Sequence, residues 1–185
     1  MLFYRRNLPH WHPEGAAIFV TWRLDGSLPA SYSTAKIGCA TEPPGKRFKR
    51  LDAILDKAAS GPLWLKESRV ALCVVNGIHT GQTTLGFYDL HAFAVMPNHV
   101  HLLISPKVHV PRLMNGLKGV TARNANLILG RKGKHFWQDE SFDHSVRSPK
   151  EFDRIHTYIE FNPVSAGLAS SPEEWPWSSA STKVI

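Results

Sequence analysis

The stretch AVMPNHVHLLI, residues 94–104, places two histidines on either side of one valine inside an apolar run. The residues before it, 88–96, and the residues from 99 to 105 both have the composition of strands. Pro97 and Asn98 between them are typical of a turn. The pattern therefore predicts a β-hairpin over residues 88–105.

Strand geometry gives the two histidines of this hairpin a shared direction. Side chains two positions apart on a strand point to the same side, about 6.5 Å apart along the backbone. His99 and His101 therefore face one way, while Val100 and Leu102 face the other and can pack. Two imidazoles at this spacing can bind one ion, or they can simply face water. A metal site would need a third ligand and a reactive partner.

The remaining elements follow from periodicity and turn signals. The sequence predicts a strand over 16–24, helices over 46–61, 63–78 and 111–129, a short strand over 142–147 and a helix over 149–162. This order predicts an α+β fold of ferredoxin-like or split βαβ type, with an antiparallel sheet and helices packed mainly on one face.

Length and composition predict one globular domain over residues 1–185, with an irregular insertion around 25–45. The two cysteines, Cys39 and Cys73, form neither a disulfide framework nor a CxxC motif, which favours the reducing cytoplasm. No stretch approaches 18 apolar residues, so no membrane span or membrane partner is expected.

The last predicted helix contains a second chemical pair. Ser148 is typical of an N-cap, and Pro163 predicts that the helix ends at Asn162. Tyr158 and Asn162 are four residues apart and therefore neighbours on one helical face. An amide oxygen is a hard metal ligand and a phenol oxygen can act as a nucleophile. The alternatives are a rim tyrosine and a simple helix cap.

Four motifs in order, MPNHVHLLI, FWQDESFDHSVR, YIEFNPVSAGL and EEWPWSSA, resemble the REP-associated tyrosine transposases of the HUH superfamily. The resemblance runs from about Trp11 to Ala180. It implies that His99 and His101 bind Mg²⁺ or Mn²⁺. It also implies that Asn162 is the third metal ligand and that Tyr158 is the catalytic nucleophile.

The same resemblance implies a single-strand DNA endonuclease and transposase that cleaves and rejoins DNA beside REP-like foldback hairpins. The intermediate would be a 5′-phosphotyrosine, which conserves the phosphodiester energy. A cytoplasmic location, nucleoid-associated on DNA, and a monomer rather than a dimer are expected. The alternative is a domesticated hairpin-binding protein that no longer cleaves.

Charge supports a polyanionic partner, because the formal net charge is +7. The interval between Leu90 and Gln138 has no acidic residue but seven cations. These candidate DNA-binding residues are Lys107, Arg112, Lys118, Arg123, Arg131, Lys132 and Lys134. Phe136 and Trp137 beside them are candidates for stacking on bases, although packing under the loop is an equal alternative.

Two other HxH architectures fit poorly. Metal-dependent hydrolases of the barrel type typically need roughly 250 residues. A cupin-like jelly roll is all-β, whereas this sequence predicts several helices.

Overall fold

The computed structural model describes residues 2–5, 9–12, 15–29 and 44–182. In these ranges the strands are β1 Leu2–Arg5, β2 Pro9–His12, β3 Ile18–Arg23, β4 Tyr88–Val95, β5 His99–Pro106 and β6 Phe142–Ser145. The α-helices are α1 Pro44–Asp56, α2 Ser68–Thr83, α3 Val110–Ile128 and α4 Pro149–Ser165. Most of the predicted insertion, residues 30–43, lies outside the described residues.

The main sheet has the strand order β4-β5-β3-β6, and its neighbouring strands are antiparallel. β1 and β2 form a separate antiparallel pair. β5 lies between β4 and β3, so its backbone is hydrogen-bonded on both sides. In this register His99 lies opposite Arg23, and His101 lies opposite Thr21 and Ala94. The predicted hairpin and the α+β class are confirmed.

The helices lie on both faces of the sheet, two on each, rather than mainly on one. One core joins α2 and α3 to Val20, Val100 and Leu102. The other joins α4 to Phe19 and Leu103, with Phe48 of α1 packed against it. The physical reason is that the central strands are apolar on both sides, so each face needs a cover. None of the described helices is long and apolar enough to cross a bilayer.

Three predicted helices have different bounds in the structure. The helix predicted over 46–61 ends earlier, at Asp56, as α1. The helix predicted over 63–78 begins and ends later, as α2, and a short 3-10 turn at Trp64–Lys66 precedes it. α4 continues past Asn162 to Ser165, with Pro163 inside it. Proline disfavours helical geometry in the preceding residue but does not forbid it. The final turn holds because the Ala166 N–H still donates to the Asn162 carbonyl (2.9 Å).

The exposed edge of the sheet at β4 is covered by the segment that follows α4. The Val95 N–H donates to the Trp177 carbonyl (2.8 Å), and the Ser179 N–H donates to the Phe93 carbonyl (2.9 Å). The indole of Trp175 donates to the Val95 carbonyl (3.1 Å). These bonds fix the end of β4, directly before the turn that leads to His99.

The contact between α2 and β4 depends on a glycine. A Cβ atom added at Gly81 would lie 2.7 Å from ring carbons of Tyr88, whose hydroxyl donates to the Ile78 carbonyl (2.5 Å). Gly81→Ala is therefore expected to destabilise the protein by about 1–3 kcal/mol through overpacking. Urea unfolding followed by circular dichroism measures the change.

Gly116→Ala in α3 is the matched control, because no atom lies within 4 Å of its added Cβ. Alanine is the better helix former, so this variant is expected to gain up to about 1 kcal/mol. Equal stability of the two variants would contradict the packing argument.

Candidate metal centre and nucleophile

His99 and His101 converge on one point of the buried face of β5. Their Nε2 atoms lie 3.0 Å apart, and both residues are 0% exposed. Val100 and Leu102 pack in the core on the opposite face, as strand alternation predicts. The histidine face does not meet water, because α1 and α4 cover it.

Each imidazole is oriented through its Nδ1 atom. Nδ1 of His99 lies 2.7 Å from Oδ1 of Asn98, whose amide nitrogen donates to the Leu55 carbonyl (3.0 Å). Since an amide oxygen can only accept, Nδ1 of His99 carries the proton and Nε2 presents its lone pair. Nδ1 of His101 pairs with Oγ1 of Thr21 at 2.8 Å. Partners of this kind orient the histidine ligands of metal sites.

Two carboxylates of α1 complete the cluster. Oδ1 of Asp52 lies 3.5 Å from Nε2 of His101 and 3.7 Å from Nε2 of His99. Oδ1 of Asp56 lies 3.6 Å from Nε2 of His99. Ligand atoms around one ion with bonds of about 2.1 Å are separated by about 3.0–3.5 Å. Asp52, His99 and His101 therefore have the mutual spacing of a metal site.

Burial controls the protonation of this cluster. Burial, followed by the neighbouring charge of Asp56, raises the pKa of Asp52 to about 8. Burial raises the pKa of Asp56 to about 6, against a lowering by the Asn162 hydrogen bond. Burial lowers the pKa of His99 to about 3, and burial and the His99 charge lower the pKa of His101. Both imidazoles are therefore neutral near pH 7, as metal ligands must be.

Several buried oxygens of the cluster have no hydrogen-bond donor among the described residues. They are both carboxylate oxygens of Asp52, Oδ1 of Asp56 and Oδ1 of Asn162. An unsatisfied buried acceptor costs about 1–3 kcal/mol. A divalent cation between Asp52 and the two Nε2 atoms would satisfy the Asp52 oxygen that approaches the histidines. The residues present therefore fit a divalent metal ion, with one carboxylate and two imidazoles as its ligands.

Tyr158 lies beside this cluster. Its ring centroid is 5.7 Å from that of His101, and the edges of Phe19 and Phe48 enclose the ring. Nδ2 of Asn162 lies 3.5 Å from the Tyr158 hydroxyl, one helical turn away. Asn162 also hydrogen-bonds to Asp56, which turns its amide nitrogen toward that carboxylate and leaves Oδ1 as a buried acceptor.

The structure thus brings together the four residues that the sequence singled out, and it adds Asp52 and Asp56, which sequence reasoning missed. A signal for them exists in RFKRLDAILD, residues 47–56. Asp52 falls on the same helical face as Phe48 and Leu55, and an acid on an apolar face needs polar partners or a metal ion. Its partners lie almost fifty residues away, so local pattern does not reveal them.

The predicted DNA-binding cations fall into two groups. Arg112, Arg123, Lys132 and Lys134 have exposed side chains. The other three interact with groups of the protein itself. Lys107 pairs with the Asp89 carboxylate (2.6 Å), and Lys118 donates to the carbonyls of Gln138 and Asp139. Arg131 lies 3.5 Å over the ring of Trp64.

Phe136 and Trp137 are core residues, only 1% and 4% exposed. Phe136 stacks on Trp64, and Trp137 packs edge-on against Trp22 and donates to Thr121 (3.0 Å). Both rings therefore pack under the loop, which was one of the two alternatives. Neither ring offers a face for stacking on a base. The two rings are buried because a distant part of the chain holds this segment, where the Trp137 backbone pairs with Leu24 at the end of β3.

The basic loop after α3 ends beside the metal centre. The Gln138 N–H donates to the Arg23 carbonyl (2.9 Å), opposite His99 in the sheet. Gln138, Arg23 and Asp52 line a common cavity of about 100 Å³. The loop that carries Lys132 and Lys134 therefore ends next to the strand that pairs with His99.

Comparison with known proteins finds similar chains. Residues 78–162 match the family model described as "Transposase IS200 like". That span contains both histidines, Tyr158 and Asn162, but not Asp52. A REP-associated tyrosine transposase of Escherichia coli is 24% identical over 92 residues, which cover 49% of this chain and 53% of the relative. A curated relative from Haemophilus influenzae is 23% identical over 103 residues, which cover 50% of this chain and 58% of the relative.

A solved REP-associated tyrosine transposase, bound to a REP hairpin, has the same fold, with a TM-score of 0.55 and 16% identity. The alignment covers 100% of this chain and 99% of that one. In the two sequence alignments, by contrast, the chain spans little more than half the length of the curated relatives, 53% and 58%. The resemblance inferred from the four motifs is confirmed: the chain is related to the REP-associated tyrosine transposases.

Metal binding is expected to release about one proton at pH 7, because Asp52, with a pKa of about 8, is mostly protonated without metal. The histidines are already neutral and contribute none. Affinity for Mn²⁺ should therefore rise from pH 6 to pH 8. Calorimetry of Mn²⁺ binding in buffers of different ionisation enthalpy measures the proton count.

Asp52→Asn should release almost no proton and bind Mn²⁺ more weakly, whereas Asp89→Asn, an exposed acid paired with Lys107, should behave like wild type. Undiminished proton release in Asp52→Asn would show that another group titrates.

Proposed function

We propose that this relative of the REP-associated tyrosine transposases cleaves and rejoins single-stranded DNA beside a foldback hairpin, with Tyr158 as the nucleophile. The observation that carries the proposal is the position of Tyr158, whose ring adjoins His101 while its hydroxyl lies 3.5 Å from Asn162. A phenol beside a cluster of metal-binding side chains is an arrangement suited to metal-assisted phosphoryl transfer to tyrosine.

In the proposed reaction, the Tyr158 oxygen attacks the scissile phosphorus and forms a tyrosine–phosphate bond to the 5′ side. The bond to the 3′ oxygen breaks, and that oxygen takes a proton to become a free 3′-hydroxyl. The tyrosine proton is lost to solvent or to a nearby base. Rejoining is the reverse attack by a 3′-hydroxyl, so no nucleotide cofactor is consumed.

Each residue of the cluster has a distinct proposed role. His99 and His101 hold Mg²⁺ or Mn²⁺ with Asp52, and Asn162 adds its free amide oxygen. The ion would withdraw charge from a non-bridging phosphate oxygen and hold the phosphate in line with the phenol. Asp56 positions Asn162 through its hydrogen bond. Phe19 and Phe48 restrict the phenol ring between them.

We propose single-stranded DNA with a foldback hairpin as the substrate, and this class is supported by the solved relative, which is bound to a REP hairpin. The exposed cations Arg112, Arg123, Lys132 and Lys134 would bind phosphates along α3 and the following loop. Lys107, Lys118 and Arg131 have protein partners and would contribute less.

Tyr158 lies beside His101 of the same chain, so the proposed site needs no second subunit. We therefore propose a monomer, acting in the cytoplasm and on the nucleoid when bound to DNA.

Cleavage is tested with a labelled hairpin oligonucleotide that carries single-stranded flanks. With Mg²⁺ or Mn²⁺, wild type should form an adduct that survives denaturing electrophoresis, and EDTA should abolish it. Tyr158→Phe should form none, because its ring has no oxygen to bond to phosphorus. Tyr88→Phe is the control, since the Tyr88 hydroxyl is bonded to the Ile78 carbonyl on the other face of the sheet.

An adduct that persists in Tyr158→Phe would move the nucleophile elsewhere. Hairpin binding without cleavage under either ion would instead favour the non-cleaving hairpin-binding module.

The proposed DNA path is tested by the salt dependence of binding. The double variant Lys132→Ala and Lys134→Ala should lower the slope of log K against log salt by about 0.7 for each phosphate of a single strand that it no longer neutralises. Lys107→Ala is the control, because this lysine is already paired with Asp89 (2.6 Å) and should change the slope less. Fluorescence anisotropy measures both. Equal slopes for wild type and the double variant would remove the loop from the path.

A further inference from the structure

The metal-binding atoms are sealed from solvent. His99 and His101 are 0% exposed, and the adjoining cavity measures only about 100 Å³. Ligand pockets usually measure roughly 300–1,000 Å³. A phosphodiester therefore has no route to Nε2 of either histidine in this arrangement. The proposed reaction therefore requires one element to move first.

α1 is the element that closes the site. Asp52 lies within 3.7 Å of both Nε2 atoms, and the Phe48 ring packs against His101 and Tyr158. At the end of the helix, the Leu55 carbonyl accepts from the Asn98 side chain (3.0 Å). Among the residues that the structure describes, the other neighbours of the histidines belong to the sheet, to the turn at Asn98 and to α4.

α1 is also loosely attached. Of residues 45–56, only Asp52 and Leu55 are buried. Few backbone positions of α1 approach another described helix or strand. In contrast, α4 packs along β4 through Ile155 and Ile159. Segments with little buried apolar surface open at the lowest free energy. α1 can therefore separate from the sheet at a smaller cost than α4.

The charges of α1 are separated along its length. Its acids, Asp52 and Asp56, lie near its end and approach the histidines. Its four cations, Lys46, Arg47, Lys49 and Arg50, lie in its first two turns at exposed or half-exposed positions. An approaching phosphate would attract the cations and compete with the Asp52 carboxylate for the same ion.

We propose that α1 is a displaceable cover of the metal centre. In the closed state Asp52 holds a coordination position, and a non-bridging oxygen of the scissile phosphate takes that position when DNA binds. α1 then moves away from the histidines, and its basic first two turns approach the DNA backbone. This inference rests on the proposed function and adds a substrate-dependent exchange of ligands to it.

The exchange predicts that Asp52 matters for metal binding only while DNA is absent. In a Tyr158→Phe background, which prevents cleavage, Asp52→Asn should lower the Mn²⁺ affinity of the free protein about tenfold or more. With the hairpin oligonucleotide bound, the difference should shrink to about threefold or less, because the DNA-bound state no longer uses the Asp52 ligand. Electron paramagnetic resonance of free Mn²⁺ measures both affinities.

An effect of Asp52→Asn that stays the same with and without DNA would show that Asp52 remains a ligand throughout, and the cover would be disproved. Asp89→Asn, outside the cluster, should leave both affinities unchanged.

Movement of α1 is measured directly by a spin-label pair at Ala53→Cys on α1 and Asp153→Cys on α4, two exposed positions. Cys39→Ser and Cys73→Ala remove the native thiols. Mn²⁺ with hairpin should lengthen the distance by about one helix diameter, about 10 Å. The pair Thr83→Cys and Asp153→Cys, which leaves α1 out, should not change.

An unchanged first distance in a protein whose anisotropy shows bound hairpin would overturn the cover and leave the proposed function intact. A missing Tyr158 adduct would overturn the proposed function itself.

Discussion

The burial of two neutral imidazoles in the middle of the sheet is the constraint on which the site depends. His99 and His101 share one side of a central strand, and their Nδ1 atoms are occupied by Asn98 and Thr21. Their Nε2 atoms therefore face each other, 3.0 Å apart. At this distance either the Nε2–H of His101 donates to the Nε2 lone pair of His99, or both nitrogens carry lone pairs and share a cation. α1 brings carboxylates to that place, and α4 brings the phenol and the amide.

The parts of this arrangement that sequence could predict are those determined by local periodicity. Two-residue alternation predicts the common direction of His99 and His101, and four-residue spacing pairs Tyr158 with Asn162. The hairpin follows from Pro97 and Asn98 with strand-like runs on both sides. Each of these inferences uses residues close in the chain, where backbone geometry alone decides which side chains meet.

The parts that sequence does not predict depend on contacts between distant segments. Asp52 falls in a predicted helix, but nothing within that helix shows that its apolar face lies over histidines almost fifty residues later. Phe136 and Trp137 follow a basic loop, and their burial depends on the end of β3 and on Trp64. The helices cover both faces because β3, β4 and β5 are apolar on both sides, which separate helix predictions do not reveal.

The segment that covers β4 also limits how other molecules can recognise this protein. At Phe93 and Val95 the outward main-chain groups are already bonded to Trp177, Ser179 and the Trp175 indole. A foreign strand cannot anneal there by main-chain pairing, which is the usual route by which open sheet margins extend or aggregate. A partner that binds at this part of the β4 edge must therefore use side-chain contacts, or must first displace the segment that follows α4.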